Sequence, residues 1–178
     1  MTEKTTAVVE AVDAATFAAS ITVMSQIYGE AMQRPPELVV QRREIMAAHV
    51  HRAGFVGVLA CDGEAVVGFG YGYHGRPGDW WHDVVARALG RRESREWLHD
   101  SFELAELHVH PSRHGEGIGR RVLETVLSRA EGTTVVLSTH DRESPARQLY
   151  RSVGFADLLT GFVFPGSTEV YVVMGKRL

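Results

Sequence analysis

Three glycines at alternate positions, Gly115, Gly117 and Gly119, separate the strand-like run Phe102 to Val109 from a helical repeat of apolar residues beginning at Ile118. Few arrangements of a chain satisfy both neighbours of such a spacer. A helix that starts directly from a strand leaves its first backbone N–H groups unpaired, and glycine lets that backbone approach a ligand that side chains would hold away. The helix dipole adds roughly half a positive charge at the same point. The segment His110-Pro111-Ser112-Arg113-His114-Gly115-Glu116-Gly117-Ile118-Gly119-Arg120-Arg121 therefore reads as an anion cradle or as a tight strand-to-helix turn. Two commoner phosphate loops do not fit it: there is no Gly-Lys-Ser/Thr, and no glycine three residues after the second, as a dinucleotide turn requires.

Strand and helix signals alternate around this spacer. Thr6 to Val12 reads as a short strand, and Ala14 to Met32 as one helix closed by Pro35-Pro36, which cannot donate helical hydrogen bonds. From Glu37, the residues Leu38, Val39, Ile45, Met46 and Val50 make an apolar stripe with Arg42, Arg43 and Glu44 outside it, and Gly54 ends that helix. Phe55 to Ala60 and Ala65 to Tyr73 form a hairpin through Cys61-Asp62-Gly63-Glu64. Gly75 to Ser101 is an excursion in which Asp79 caps a helix bearing Trp81, Val84, Val85, Ala88 and Leu89, up to Gly90. Past the glycines, a helix runs from Ile118 to Ala130 on the stripe Ile118, Val122, Leu123, Val126, Leu127 and Ala130, followed by a strand at Thr134 to Ser138. Ser144-Pro145 opens a further helix to Val153, with Ala146, Leu149 and Val153 inward, and Gly154 stops it. Strands at Phe155 to Phe164 and Glu169 to Lys176 finish the chain. The expectation is an α/β fold: one domain over residues 1–178, a mixed and largely antiparallel sheet flanked by helices, and an extra helical insertion at 75–101 between the third and fourth strands.

Composition narrows the partners. With 178 residues, 44% of them apolar, one core suffices. Nineteen basic against twenty-two acidic residues supply no cationic surface for nucleic acid. The longest uncharged run, Ala14 to Gly29, is interrupted by Thr16, Ser20, Thr22, Ser25 and Gln26, too short and polar to span a bilayer about 30 Å thick. Met1 to Ser20 lacks the cationic flank and apolar block of an export signal. The single Cys61 closes no intrachain disulfide and reads as a core residue. A cytoplasmic protein without nucleic-acid or membrane partners is expected. His108 and His110 share one strand face, with His114 beyond the turn, but phosphate explains the glycines they flank and no metal is expected.

A second segment, Ser144-Pro145-Ala146-Arg147-Gln148-Leu149-Tyr150-Arg151-Ser152-Val153-Gly154-Phe155, places Tyr150 one step around from the apolar stripe, where its hydroxyl can face a cleft or simply pack. Together the two segments resemble the GCN5-related N-acetyltransferase (GNAT) superfamily. Its acetyl-coenzyme A motif, Arg or Gln, two residues, Gly, one residue, Gly or Ala, after Val-x-Pro, is matched by His114-Gly115-Glu116-Gly117-Ile118-Gly119 after Val109-His110-Pro111. Its later motif, Asn-x-x-Ala, Leu-Tyr and Gly-Phe, is matched by Glu143-Ser144-Pro145-Ala146, Leu149-Tyr150 and Gly154-Phe155. His114 and Glu143 depart from the family residues, whereas the three glycines are kept. The close resemblance covers Phe102 to Phe155.

The resemblance implies a GNAT-like fold and direct attack of an amine on the thioester of acetyl-CoA, a cosubstrate, with no metal. His114, Gly115, Glu116, Gly117, Ile118, Gly119 and Arg120 would hold the pyrophosphate, and the backbone of Leu107, His108 and Val109 the pantetheine arm and thioester oxygen. An ammonium must lose a proton before its nitrogen can attack. Glu103 resembles, by position, the glutamate base of histone-acetylating members and Glu106 comes second; each also reads as a sheet-edge carboxylate, and His108 or His110 is an alternative base. Tyr150 matches the family acid that protonates the departing thiolate, or else only positions the cofactor sulfur. Relatives bind the acceptor between the first helices and the sheet, where Tyr28, Met32, Tyr71, Tyr73, Trp80 and Trp81 are candidate lining residues. The 75–101 insertion, carrying Trp80-Trp81, is expected as an acceptor lid, with an added helix on the sheet or a dimer interface as the other readings. The expected acceptor is a primary amine of a small molecule. A polypeptide lysine or N-terminus, or a CoA-binding sensor without turnover, are the alternatives, and a homodimer fits either enzyme.

Overall fold

The computed structural model describes residues 6–178, so the first five residues of the Met1–Ser20 segment lie outside it. In chain order the elements are β1 (Val8–Val12), α1 (Ala14–Ala19), α2 (Ile21–Met32), α3 (Pro36–His49), β2 (Val56–Asp62), β3 (Ala65–His74), α4 (Trp80–Leu98), β4 (Ser101–Val109), α5 (Ile118–Leu127), β5 (Thr134–His140), α6 (Pro145–Ser152), β6 (Ala156–Phe162) and β7 (Tyr171–Arg177). The strands make a mixed, largely antiparallel sheet; β4 and β5 form its parallel pair. Among the described residues no helix is long and apolar enough to cross a membrane.

Contacts divide the chain into two units that interleave in sequence. The first takes the chain up to Tyr73 together with Leu104–Ala130. Its strands run in the order β1, β2, β3 and the later part of β4, with β1 antiparallel to β2 from Val8 opposite Cys61 to Val12 opposite Gly57. Phe17, Met24, Met46, Phe69 and Tyr71 are its most deeply buried large side chains. Two glycines of β3 let α5 sit close on the sheet: a Cβ on Gly70 would stand 2.8 Å from Val122 Cγ1, and one on Gly68 3.3 Å from Ile118 Cγ2.

The second unit takes His74–Glu103 and Glu131–Leu178. Here Ser101–Glu103 pair in parallel with Thr134–Val136, β5 is antiparallel to β7, and β7 to β6. Its core gathers Val84, Val85, Leu98, Val136, Phe164 and Val173. The insertion is held in this core, and Trp81 Nε1 donates to Ser138 Oγ at 3.0 Å. Strand β4 carries one residue more than β3 between their terminal bonds. His110 N–H donates to Val67 O and Gly75 N–H to Ser101 O, yet Ser101 to His110 is one residue longer than Val67 to Gly75.

Four local expectations are corrected. The helix expected over Ala14 to Met32 is two, α1 and α2, meeting at Ser20, whose hydroxyl donates back to Thr16 O and competes with the helical ladder. The insertion continues as helix through the charged stretch to Leu98, kinked at Gly90 (φ 80°). Asp79 stands at its N-cap position, but the carboxylate that accepts Gly78 N–H there belongs to Asp83. On α6 the inward side is Arg147 and Tyr150, with Ala146 exposed. Arg147 is drawn in by carboxylates on both sides, Asp141 at 2.6 Å and Asp157 at 2.8 Å. The fourth, Arg42 on α3, belongs to the site described below.

Gly57 tests how tightly the first unit is packed. A Cβ there would lie 2.4 Å from Cδ2 of Phe17, which is fully buried. Gly57→Ala is expected to lower unfolding free energy by about 1–3 kcal/mol, as overpacked cores do, read as a lower denaturant midpoint. An unchanged midpoint would show that Phe17 has room to move.

Candidate active site

The glycine segment folds as a short 3-10 turn, Pro111–Arg113, then an irregular loop, then α5. Gly115 (φ 82°) and Gly117 (φ 73°) take the left-handed backbone that favours glycine, and nothing lies within 4 Å of the Cβ position of either. Gly117 is the N-cap of α5, whose Ile118, Val122, Leu123 and Val126 are buried beneath it. The open space in front of these glycines, at a helix start whose first amides have no acceptor within the helix, fits an anionic pyrophosphate.

Side chains brace the loop from behind. Arg113 donates from Nε to Glu116 at 2.8 Å and from Nη1 to Asp62, at the end of β2, at 2.7 Å. His114, where the family motif has Arg or Gln, lies 2.8 Å through Nε2 from the Val109 carbonyl oxygen. Arg120 is exposed and faces Glu124 at 3.5 Å. Of the anticipated cradle residues, then, Glu116 and His114 have bracing partners and the glycines present backbone. Gly119 is half-buried in the first turn of α5. The three histidines of the strand and loop have separate partners: His108 meets Glu106, His110 meets Ser112 and Glu30, and His114 meets Val109. Among the described residues no group of His, Cys, Asp or Glu is placed to hold a metal ion.

Below the loop in the same unit, β4 carries Glu106 into a buried polar cluster. Its Oε1 accepts from Arg42 Nη1 at 2.8 Å, and its Oε2 lies 2.6 Å from His108 Nε2. Arg42 also lies over the Tyr28 ring, 4.9 Å from its centroid. Arg42 is thus turned inward, against the reading that put it on the outer face of α3. It shares the stripe of Met46 four residues on, and its long stem lets a cation reach a carboxylate from an apolar face. His49, on the same helix, meets the Tyr71 hydroxyl through Nδ1 at 3.0 Å. His108 is flanked by the rings of Tyr28 at 5.4 Å and Phe69 at 5.6 Å.

The charges of this cluster oppose one another. Burial pushes the Glu106 carboxyl up, but the hydrogen bond from His108, followed by the positive charge of Arg42, outweighs it and holds the group below its usual 4.5. Burial, followed by the charge of Glu106, pushes the Tyr71 hydroxyl well above 10.0, so it stays protonated. Of the candidate lining residues, Tyr28, Tyr71 and Tyr73 are buried in this unit, with Met32 packed against its core.

The other two candidate catalytic residues lie in the second unit. Glu103 is buried at the last β4–β5 pair, opposite Val136, and a Cβ on Gly75 would stand 2.6 Å from its Oε1. Tyr150 is buried on α6, edge-on to Phe155 at 5.7 Å. Ser144 caps that helix by accepting from Arg147 N–H at 3.2 Å, and Glu143, where the family motif has Asn, pairs with Arg151 at 2.7 Å. Trp80 is exposed at 58% beside Phe164, while Trp81 is half-buried. Sequence reasoning missed the roles of Arg42 and His49. The signal was present as two basic residues, Arg42 and His49, two helical turns apart on the stripe that holds Met46.

The sign of the Glu106 shift sets a pH test. A carboxyl held below its unfolded value stabilises the fold fully above pH 4.5, and that contribution is lost as pH falls through the lower folded value. The melting-temperature gap between wild type and Glu106→Gln is therefore expected to be widest near neutrality and to shrink below pH 4.5. A gap that stays constant down to about pH 3 would contradict the ionised pair.

Comparison with known proteins agrees with the loop. A family model described as an acetyltransferase (GNAT) domain matches residues 48–157. The chain is 28% identical over 182 residues to a GCN5-like protein acetyltransferase of Mycobacterium tuberculosis, covering 85% of this chain and 88% of that protein. It is 43% identical over 54 residues to the N-alpha-acetyltransferase RimI of the same organism, covering 30% of this chain and 34% of that one. In fold it resembles yncA from Salmonella typhimurium, solved with its cofactor acetyl-CoA, at a TM-score of 0.67 and 16% identity, over 97% of this chain and 94% of that one. With its glycine loop opening α5 and the family model spanning more than half of its length, the chain belongs to the GNAT family of acetyltransferases, enzymes that use acetyl-CoA.

Proposed function

We propose that this acetyltransferase acylates a primary amine carried on a polypeptide, a lysine side chain or an N-terminus. The observation that carries this choice is the 28% identity, over 85% of the chain, to a relative described as a protein acetyltransferase. A small-molecule amine is the competing acceptor.

In this reading the amides around Gly115, Gly117 and Gly119 and the first turn of α5 bind the pyrophosphate, with His114, Glu116 and Arg120 shaping the loop. The backbone of Leu107, His108 and Val109 holds the pantetheine arm and the thioester oxygen. Acetyl-CoA supplies the activated acyl group. Tyr150 gives a proton to the sulfur as the carbon–sulfur bond breaks. The proton on the attacking amine passes to a group on β4, where Glu103 and Glu106 are the carboxylates. Tyr28, Tyr71 and Tyr73 surround the acceptor. The bracing seen at Arg113, Glu116 and His114 supports the cradle role, because an amide cradle works only if its loop is held in shape.

The test follows thiol release from acetyl-CoA with two panels, peptides bearing a free lysine or N-terminus and small amines. Turnover confined to peptides supports the proposal; turnover confined to small amines replaces it. Tyr150→Phe is expected to lower kcat at least about tenfold while leaving acetyl-CoA affinity in place. Gly117→Val is expected to weaken acetyl-CoA binding by about tenfold or more in calorimetry. Gly166→Val, at another open positive-φ glycine, should leave it unchanged. Equal binding by all three proteins would remove the loop from the site.

A further inference from the structure

We infer that His108 takes the proton from the acceptor amine, and that Glu106 acts through it as a positioning residue. The inference rests on the acetyl-transfer reading above and names the base within it. Both oxygens of Glu106 are engaged, Oε1 by Arg42 and Oε2 by His108. A carboxylate held by a guanidinium and an imidazole is a weaker base than a free one.

His108 has the opposite character. Its Nε2 is turned onto Glu106 Oε2 at 2.6 Å, and its ring is held between those of Tyr28 and Phe69. With Glu106 ionised, Nε2 carries the hydrogen and donates it, which leaves the lone pair on Nδ1. Among the described residues no hydrogen bond takes Nδ1. An imidazole whose far nitrogen is fixed by a buried carboxylate is the arrangement in which a histidine is held in one tautomer, and the imidazolium formed on proton uptake is stabilised by the same carboxylate. The charged and titratable groups facing the pair are Arg42 and His49 from α3, Tyr28 from α2 and Tyr71 from β3. Arg42 is matched by Glu106, and Tyr71 stays neutral.

The protons balance. The acceptor ammonium gives one proton to His108 Nδ1, and its freed lone pair forms the nitrogen–carbon bond. The carbon–sulfur bond breaks with its electron pair going to sulfur, which takes a proton from Tyr150. The amide nitrogen sheds its second proton as Tyr150 is reprotonated, and His108 returns the first to water. One proton is released per turnover.

The experiment compares wild type with His108→Ala, His108→Gln, Glu106→Gln and Glu103→Gln on an acceptor from the panels. His108→Ala is expected to lower kcat by about 100-fold or more, with the acetyl-CoA KM unchanged. Its kcat/KM should follow the fraction of free amine and rise steadily with pH, and added imidazole should restore part of the rate. Glu106→Gln should lower kcat less, keep the shape of the wild-type profile and show no response to imidazole. Wild-type kcat in a folded His108→Ala or His108→Gln, or abolition of activity by Glu103→Gln with His108→Ala still active, overturns the inference. If both His108 variants fail to fold, or wild type binds acetyl-CoA without turning over any amine, nitrogen-15 NMR of His108 in the wild-type protein decides. The ring is expected to carry its hydrogen on Nε2, and a ring carrying it on Nδ1 alone overturns the inference. Absence of acetyl-CoA binding to wild type would instead sink the acetyl-transfer reading, and that outcome is separate from the tautomer.

Discussion

A carboxylate taken out of water must find cations or donors, or it will not remain ionised. Glu106 sets this requirement for the first unit. Its backbone belongs to β4, its oxygens are met by Arg42 from α3 and by His108 two residues along its own strand, and α2 closes over the group with Tyr28. Three elements far apart in sequence are thus fixed around one negative charge. The aromatic rings that exclude water from the site also make its electrostatics strong, since the pair is screened little by solvent.

The glycine loop works by another physical route. Backbone amides would do the binding in the proposed cradle, which leaves the loop's side chains free to act as props. Arg113 joins Glu116 to Asp62 at the end of β2, and His114 turns back to the Val109 carbonyl. The departure from the family residue at His114 therefore leaves the amide geometry intact. Seating α5 also depends on the neighbouring strand. Gly70 of β3 faces Val122 more closely than a Cβ could share and Gly68 faces Ile118 at a distance where a Cβ would force a small shift, so the height of α5 over the sheet depends on small residues about fifty positions earlier.

Much of the fold was legible because it depends on local rules. Alternating apolar residues gave the strands, Ser144-Pro145 and Gly154 bounded α6, and the left-handed glycines marked the start of α5. The readings that failed involve polar side chains whose partners are remote. Arg42 was assigned to solvent because hydropathy places arginine outside, yet it lies on the buried side of α3. Arg147 was overlooked for the same reason, and Ala146 was put in its place, because Asp141 and Asp157 draw the guanidinium inward. Ser20 split a helix through one hydroxyl that competes with the backbone.

The sequence by itself determined the broad alternation of strands and helices, the three-glycine loop that opens α5, and the family to which the chain belongs, since each of these is written in residues close together along the chain. Only the tertiary structure decided what surrounds the glutamates of β4. A one-residue excess on that strand alters the alternation of its side chains, and the guanidinium that meets Glu106 arrives from α3, more than sixty residues away. Electrostatic pairing in a buried site depends on distance through space, and spacing along the chain does not encode it.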